Sequence, residues 1–79
     1  MTVTVRLFAA AAEAAGTDDV ALDGPTVADL TRALDERYGD TFARIRVQCS
    51  VMVDGVLANA DHVLAEGSIV DVLPPFAGG

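Results

Sequence analysis

Lysine is absent from this 79-residue chain, and all five basic residues are Arg. Twelve acids oppose them, for a net charge of −7 and a pI near 4.2. Nucleic-acid affinity rests largely on neutralised phosphates, which excludes a chain this acidic as a nucleic-acid binder. A basic protein partner or pocket fits better. Cysteine occurs once, at Cys49, so no internal disulfide can form. A small domain without staples depends on its core and suits a reducing compartment. Histidine also occurs once, at His62, which rules out a zinc cluster and a Ser-His-Asp triad. There is no CxxC, no P-loop and no GxGxxG. Long apolar runs are missing too. The longest, Leu7 to Ala12, falls far short of the ~20 residues of a membrane span. The start carries one base among alternating Thr and Val, and Glu13 interrupts the Ala-rich stretch that follows. That is not a signal peptide. The expectation is a cytoplasmic protein with an intact N-terminus and no membrane contact.

What is present is apolar. Hydrophobic residues make up 52% of the chain and mean hydropathy is +0.41, so the chain folds rather than staying disordered. Its length allows one small domain with a thin core. Thr2 to Phe8 alternates with period two, a half-buried strand with Val3, Val5 and Leu7 inward. Ala9 to Ala15, closed by Gly16, predicts one or two helical turns. Val20 to Leu22 is a short strand before the Asp23-Gly24-Pro25 turn. Thr26 and Asp29 open the clearest helix as a capping-box pair. Val27, Leu30, Leu34 and Tyr38 share one of its faces, Arg32, Asp35, Glu36 and Arg37 face water, and Gly39 stops it. Thr41 to Val47 is ambiguous, with Phe42 and Ile45 tucked under the core and Arg44 and Arg46 wet. Cys49 to Val53 reads as a strand, and Asp54-Gly55 turns it into Val56-Leu57. Asn59 to Glu66 is a connecting loop, and Ser68 to Leu73 a final strand. The economical packing is an α+β fold, a ubiquitin-like β-grasp with one main helix on one face of a mixed four- to five-stranded sheet. Residues 1–73 form the domain and 74–79 a flexible C-terminal Gly-Gly tail.

The period-two rule assigns the other sheet face. Arg6 and Phe8 point away from the helix, as do Met52, Ile69, Asp71 and Leu73, with Asp71 in water. With the first and last strands paired and the third beside them, Phe8, Met52 and Leu73 form one apolar patch, continued by Phe76. Uncovered apolar residues grouped in this way mark a partner site. The competing arrangement folds Thr41 to Val47 over them.

A catalytic set is not found. Cys49 reads as a small core or near-core thiol, His62 as a surface residue, and the acids are scattered. The informative stretch is the end, Val72-Leu73-Pro74-Pro75-Phe76-Ala77-Gly78-Gly79, which holds no charged side chain. The prolines stop the strand and stiffen an extended exit. A chance terminal Gly-Gly occurs at roughly 0.5% if each Gly has a frequency near 7%, so a frayed end explains it poorly. Two glycines can pass a channel that any side chain would block, and they leave the last carbonyl open. A carboxylate is a poor electrophile and nothing in the chain activates it. It has to be delivered to another enzyme that forms an acyl-adenylate from ATP, after which a sulfur or amine nucleophile displaces AMP. Such a domain is a substrate and carrier, not a catalyst.

These residues resemble the small subunits of molybdopterin synthase, ubiquitin-like sulfur carriers. The resemblance runs through Val5-Arg6-Leu7-Phe8-Ala9, Glu13, Gly16-Thr17-Asp18, Thr26-Val27-Ala28-Asp29-Leu30 and Leu73 to Gly79. The terminal Pro-Pro-x-x-Gly-Gly after a strand is the specific part. The resemblance implies that Gly79, with Gly78 beside it, is adenylated by a ubiquitin-activating-like adenylyltransferase using Mg-ATP. A sulfurtransferase or persulfide donor then makes the thiocarboxylate. The tail enters the large synthase subunit, which builds the molybdopterin dithiolene from cyclic pyranopterin monophosphate. No cofactor or metal is expected on the chain itself. Phe8, Met52, Leu73, Pro74, Pro75, Phe76 and Ala77 are the expected partner contacts. Ala12 stands where relatives often have Arg, and Phe76 where many have Val. The same carrier chemistry also serves thiamin thiazole, cysteine or other sulfur-metabolite pathways. The tail equally permits a protein modifier joined to target lysines, and an interaction module with an incidental tail is a further alternative.

Overall fold

Alternating apolar residues build β1 (Thr2–Leu7), where Val3, Val5 and Leu7 are buried and Thr2, Thr4 and Arg6 exposed. The chain continues through α1 (Ala9–Ala15), β2 (Asp19–Asp23), α2 (Val27–Tyr38), α3 (Asp40–Arg46), β3 (Ser50–Val53), β4 (Val56–Leu57) and β5 (Ile69–Leu73). The computed structural model describes residues 2–75. The sheet has five strands in the order β2-β1-β5-β3-β4. β1 and β5 are parallel, and the other pairings are antiparallel. First and last strands therefore lie side by side, with β3 next to β5, as expected.

Helical cover is larger than the one main helix the sequence suggests. The cap of α2 forms as read: the Thr26 hydroxyl accepts from the Asp29 N–H and donates to the Asp29 carboxylate at 2.8 Å. Gly39, at φ +90°, closes α2 by donating to the Asp35 carbonyl at 2.8 Å. Its own carbonyl accepts from the Ala43 N–H at 3.0 Å. One residue thus ends α2 and begins α3, which settles the ambiguous segment as a helix. Phe42 and Ile45, three apart, turn to one side. Phe42 is fully buried, its ring 5.2 Å from that of Tyr38. Arg44 is exposed, but Arg46 is not wet as expected. Its Nε donates to Asp35 at 3.0 Å and its Nη2 to the other carboxylate oxygen, pinning α3 to α2. Asp35, expected in water, is half-buried for the same reason.

Two further readings change. Cys49 precedes β3 instead of lying within it, because the turn leaving α3 still holds its N–H on the Arg46 carbonyl. His62 is half-buried, not a free surface residue, since the 59–66 loop is stitched to the start of α2. The Val27 N–H donates to the His62 carbonyl at 3.0 Å and the Leu64 N–H to the Pro25 carbonyl at 2.8 Å. That stitching carries Leu64 into the core, a member the loop reading missed. The core joins Val3, Val5, Leu7, Val53, Val70 and Val72 of the sheet to Ala11, Val27, Leu30, Leu34 and Phe42 of the three helices. All the helices lie on one sheet face.

Candidate docking face

The opposite sheet face is set by register. Residues directly across a ladder point to the same side. Val5 pairs with Val70, Leu7 with Val72 and Val51 with Val72, all on the helix side. Arg6 then lies opposite Asp71, Asp71 opposite Met52, and Met52 opposite Leu57, all on the outer side. Thr4 lies opposite Ile69, and Leu73 opposite Ser50. Phe8 follows β1 in extended conformation (φ −131°, ψ 150°) and so takes the next outward position, beside Leu73. The Asp54-Gly55 turn fixes this register. Both residues have positive φ (50° and 85°), the two-residue hairpin geometry that matches strand twist. Asp54 also accepts from the Ile69 N–H at 2.9 Å, locking the hairpin to β5.

Phe8, Met52 and Leu73, expected together, are brought to neighbouring positions of this face. α3 packs against α1 and α2, not over them. Phe8 is exposed, Met52 and Leu73 half-buried, Pro74 half-buried and Pro75 exposed. Phe76, Ala77, Gly78 and Gly79 lie outside the described residues. Sequence reasoning missed Leu57, which is 70% exposed and extends the apolar row beyond Met52. The signal was there: a two-residue turn after Val53 places Leu57 opposite Met52. Ile69, 40% exposed, adds an apolar residue one row away.

The centre of this face is polar. Arg6 donates from Nε and Nη2 to the two carboxylate oxygens of Asp71, at 2.6 and 2.9 Å. The Arg6 side chain is 50% exposed and that of Asp71 only 15%, so Asp71 is paired and largely covered, not placed in water. The Asp71 hydrogen bonds, and then its charge, hold the Arg6 guanidinium further above its already high range. On the helix side the Cys49 thiol donates to the Ile45 carbonyl at 3.3 Å. Burial pushes its pKa up and the Arg46 charge partly opposes this. The described residues include no pocket and no group of three or more His, Cys, Asp or Glu able to hold a metal. None of their helices is long and apolar enough to cross a membrane. On this outer face β5 leads directly into Pro74 and Pro75.

A family model for the ThiS family matches residues 5–79. The chain belongs to the ThiS family. It is 31% identical to a molybdopterin synthase sulfur carrier subunit of Phaeosphaeria nodorum, over 96% of this chain and 88% of that protein. Its backbone superposes on SAMP1 from Haloferax volcanii with a TM-score of 0.85 at 27% identity, covering all of both chains. A molybdopterin converting factor subunit 1 from Pyrococcus furiosus gives a TM-score of 0.84 at 26% identity, over 95% of this chain and 98% of that one. The fold is the ubiquitin-like β-grasp, and the family expected from the terminal motif, the ubiquitin-like sulfur carriers, is the family found.

Proposed function

We propose that the chain is the sulfur carrier subunit of a molybdopterin synthase and that its reacting group is the Gly79 carboxylate. The carboxylate attacks ATP on a ubiquitin-activating-like adenylyltransferase, with Mg²⁺, releasing pyrophosphate and leaving an acyl-adenylate. A persulfide sulfur from a sulfurtransferase displaces AMP, and a second thiol cleaves the resulting acyl disulfide to free the thiocarboxylate. The large synthase subunit, docked on the outer face around Phe8, Met52 and Leu73, receives the tail from Pro74 to Gly79 and takes the sulfur for the dithiolene. The observation that carries this reading is the family match, which runs unbroken from the strand that builds the face to Gly79. The molybdopterin synthase and molybdopterin converting factor relatives support the pathway.

The test is reconstitution. The chain, an adenylyltransferase with Mg-ATP, a persulfide donor and a large synthase subunit should yield dithiolene product. Intact mass should show one oxygen replaced by sulfur at the C-terminus. Deleting Gly79 should abolish both while leaving the thermal unfolding midpoint unchanged. Sulfur transfer by the Gly79-deleted chain would sink the proposal.

A second reading, as a protein modifier, draws support from the likeness to small archaeal modifier protein 1 of H. volcanii. With no Lys, the chain could not form ordinary Lys-linked chains with itself. Gly79 joined to amines of other proteins, in cells lacking the large subunit, would favour it. A thiocarboxylate that the large subunit does not consume would point instead to thiamin thiazole, cysteine or another sulfur metabolite.

A further inference from the structure

The outer face poses a problem for any partner that covers it. Its apolar positions, Phe8, Met52, Leu57, Ile69 and Leu73, flank an ion pair whose acid is held on the central strand. Asp71 sits on the central strand β5, hydrogen-bonded on one side to β1 and on the other to β3. Both its carboxylate oxygens are engaged by Arg6. A guanidinium carries more N–H groups than the two used here. Among the described residues the others have no hydrogen-bond partner, and the half-exposed Arg6 side chain leaves them open to water. A partner surface that was apolar throughout would strip that water and leave charged donors buried and unpaired, which is among the larger penalties an interface can incur. The pair therefore rejects partners that the surrounding apolar residues alone would accept.

We propose that Arg6, held by Asp71, is a specificity-determining residue of the docking face, and that the cognate partner places a neutral hydrogen-bond acceptor, a main-chain carbonyl or side-chain amide oxygen, over its guanidinium. This rests on the docking reading given above. Neutrality follows from the neighbours. Asp71 already balances the Arg6 charge, and Asp19 lies across the β1–β2 ladder from Arg6 on the same face. A partner carboxylate would meet two acids for one base, whereas a neutral oxygen takes the free donors without that repulsion.

Calorimetric titration of the large synthase subunit into three forms of the full-length chain decides the matter: wild type, Arg6→Met, and Arg6→Met with Asp71→Leu. The single variant alone is ambiguous, since it orphans the largely covered Asp71 carboxylate. The double variant removes that ambiguity by making the row apolar, and circular dichroism checks that it folds. If the partner brings an acceptor, the double variant leaves that acceptor buried and unpaired, and affinity stays at least ~10-fold below wild type. The deficit should be the same at about 0.05 and 0.5 M salt, since the lost contact is to a neutral group. A double variant that binds as well as or better than wild type overturns the proposal. A deficit that collapses at high salt replaces the neutral acceptor with a charged one and overturns it too. If the wild-type chain itself does not bind, the docking reading fails and this inference falls with it; the first two outcomes leave the docking reading standing.

Discussion

Two neighbouring residues of β4 offer a test of which face docks. Val56 and Leu57 are 62% and 70% exposed, on the same two-residue strand at the sheet edge. They differ in direction. Leu57 lies opposite Met52 on the outer face, and Val56 opposite the buried Val53 on the helix side, where the edge of the sheet is left uncovered. Complete burial of a leucine side chain is worth about 1.5–3 kcal/mol. If docking covers the 70% of Leu57 now in water, truncation to Ala should cost about 1–2 kcal/mol of binding, or about a 5- to 30-fold rise in Kd. The fold loses only the smaller part already covered, so stability should change by less than about 1 kcal/mol. Val56→Ala, with similar exposure on the other face, should change binding by less than about 0.5 kcal/mol. Calorimetry of both variants against the large synthase subunit, with urea unfolding to confirm equal folding, reads the difference directly. Equal losses from the two variants, or a loss confined to Val56→Ala, would refute docking through the outer face.

Other outcomes follow from the core and the thiol. Phe42→Ala should cost about 3–5 kcal/mol, a large share of the ~4–12 kcal/mol expected for a domain this size; a urea midpoint barely moved from wild type would show that α3 is not part of the cooperative core. Cys49 should react with iodoacetamide more slowly at pH 7 than a free peptide thiol, because burial raises its pKa and lowers the thiolate fraction. Its rate should rise with pH to a midpoint above the ordinary cysteine range. Arg46→Ala, by removing the opposing charge, should push that midpoint higher, whereas a midpoint lowered by the substitution would contradict the assigned cause.

The sheet was legible because its signals are local and reinforce one another. Period-two alternation gives the faces of β1 and β5, and Asp54-Gly55 gives a two-residue hairpin, so the grouping of Phe8, Met52 and Leu73 is written in the sequence. α3 was not legible, because Thr41 to Val47 satisfies two templates at once. Phe42 and Ile45 have helical spacing, while Arg44 and Arg46 alternate with apolar neighbours as in a strand. Only the shared Gly39 and the contact with Tyr38 decide for the helix. The Asp35–Arg46 pair joins residues eleven apart in sequence on two successive helices, and no periodicity encodes it. Arg6–Asp71 differs. Both residues were placed outward, and the parallel pairing of first and last strands puts them in one row. Read across the strands, that row sets opposite charges facing each other. The tail is the reverse case: Gly78 and Gly79 are legible in the sequence alone.

The position of β5 ties recognition to chemistry. It is the middle strand, paired on both sides, and it contributes Ile69, Asp71 and Leu73 to the outer face before running directly into Pro74. Six residues follow Leu73, ending at Gly79, a reach of about 20 Å when fully extended. Any enzyme that acts on Gly79 must therefore place its reacting centre within that distance of the face. The apolar patch lies at the root of that tail, so a partner that grips the domain there uses the same surface. The adenylyltransferase and the large synthase subunit would then compete for one surface, and the carrier must leave the first before it can serve the second. Adenylation of Gly79, followed by pyrophosphate release, should slow as large subunit is added. The inhibition should be relieved by more carrier, and weakened in the Leu57→Ala form in proportion to its lost affinity for the large subunit. Adenylation that proceeds at full rate with the large subunit saturating would show that the two enzymes hold the domain by different surfaces, and the short tail would then have to be reached from two sides.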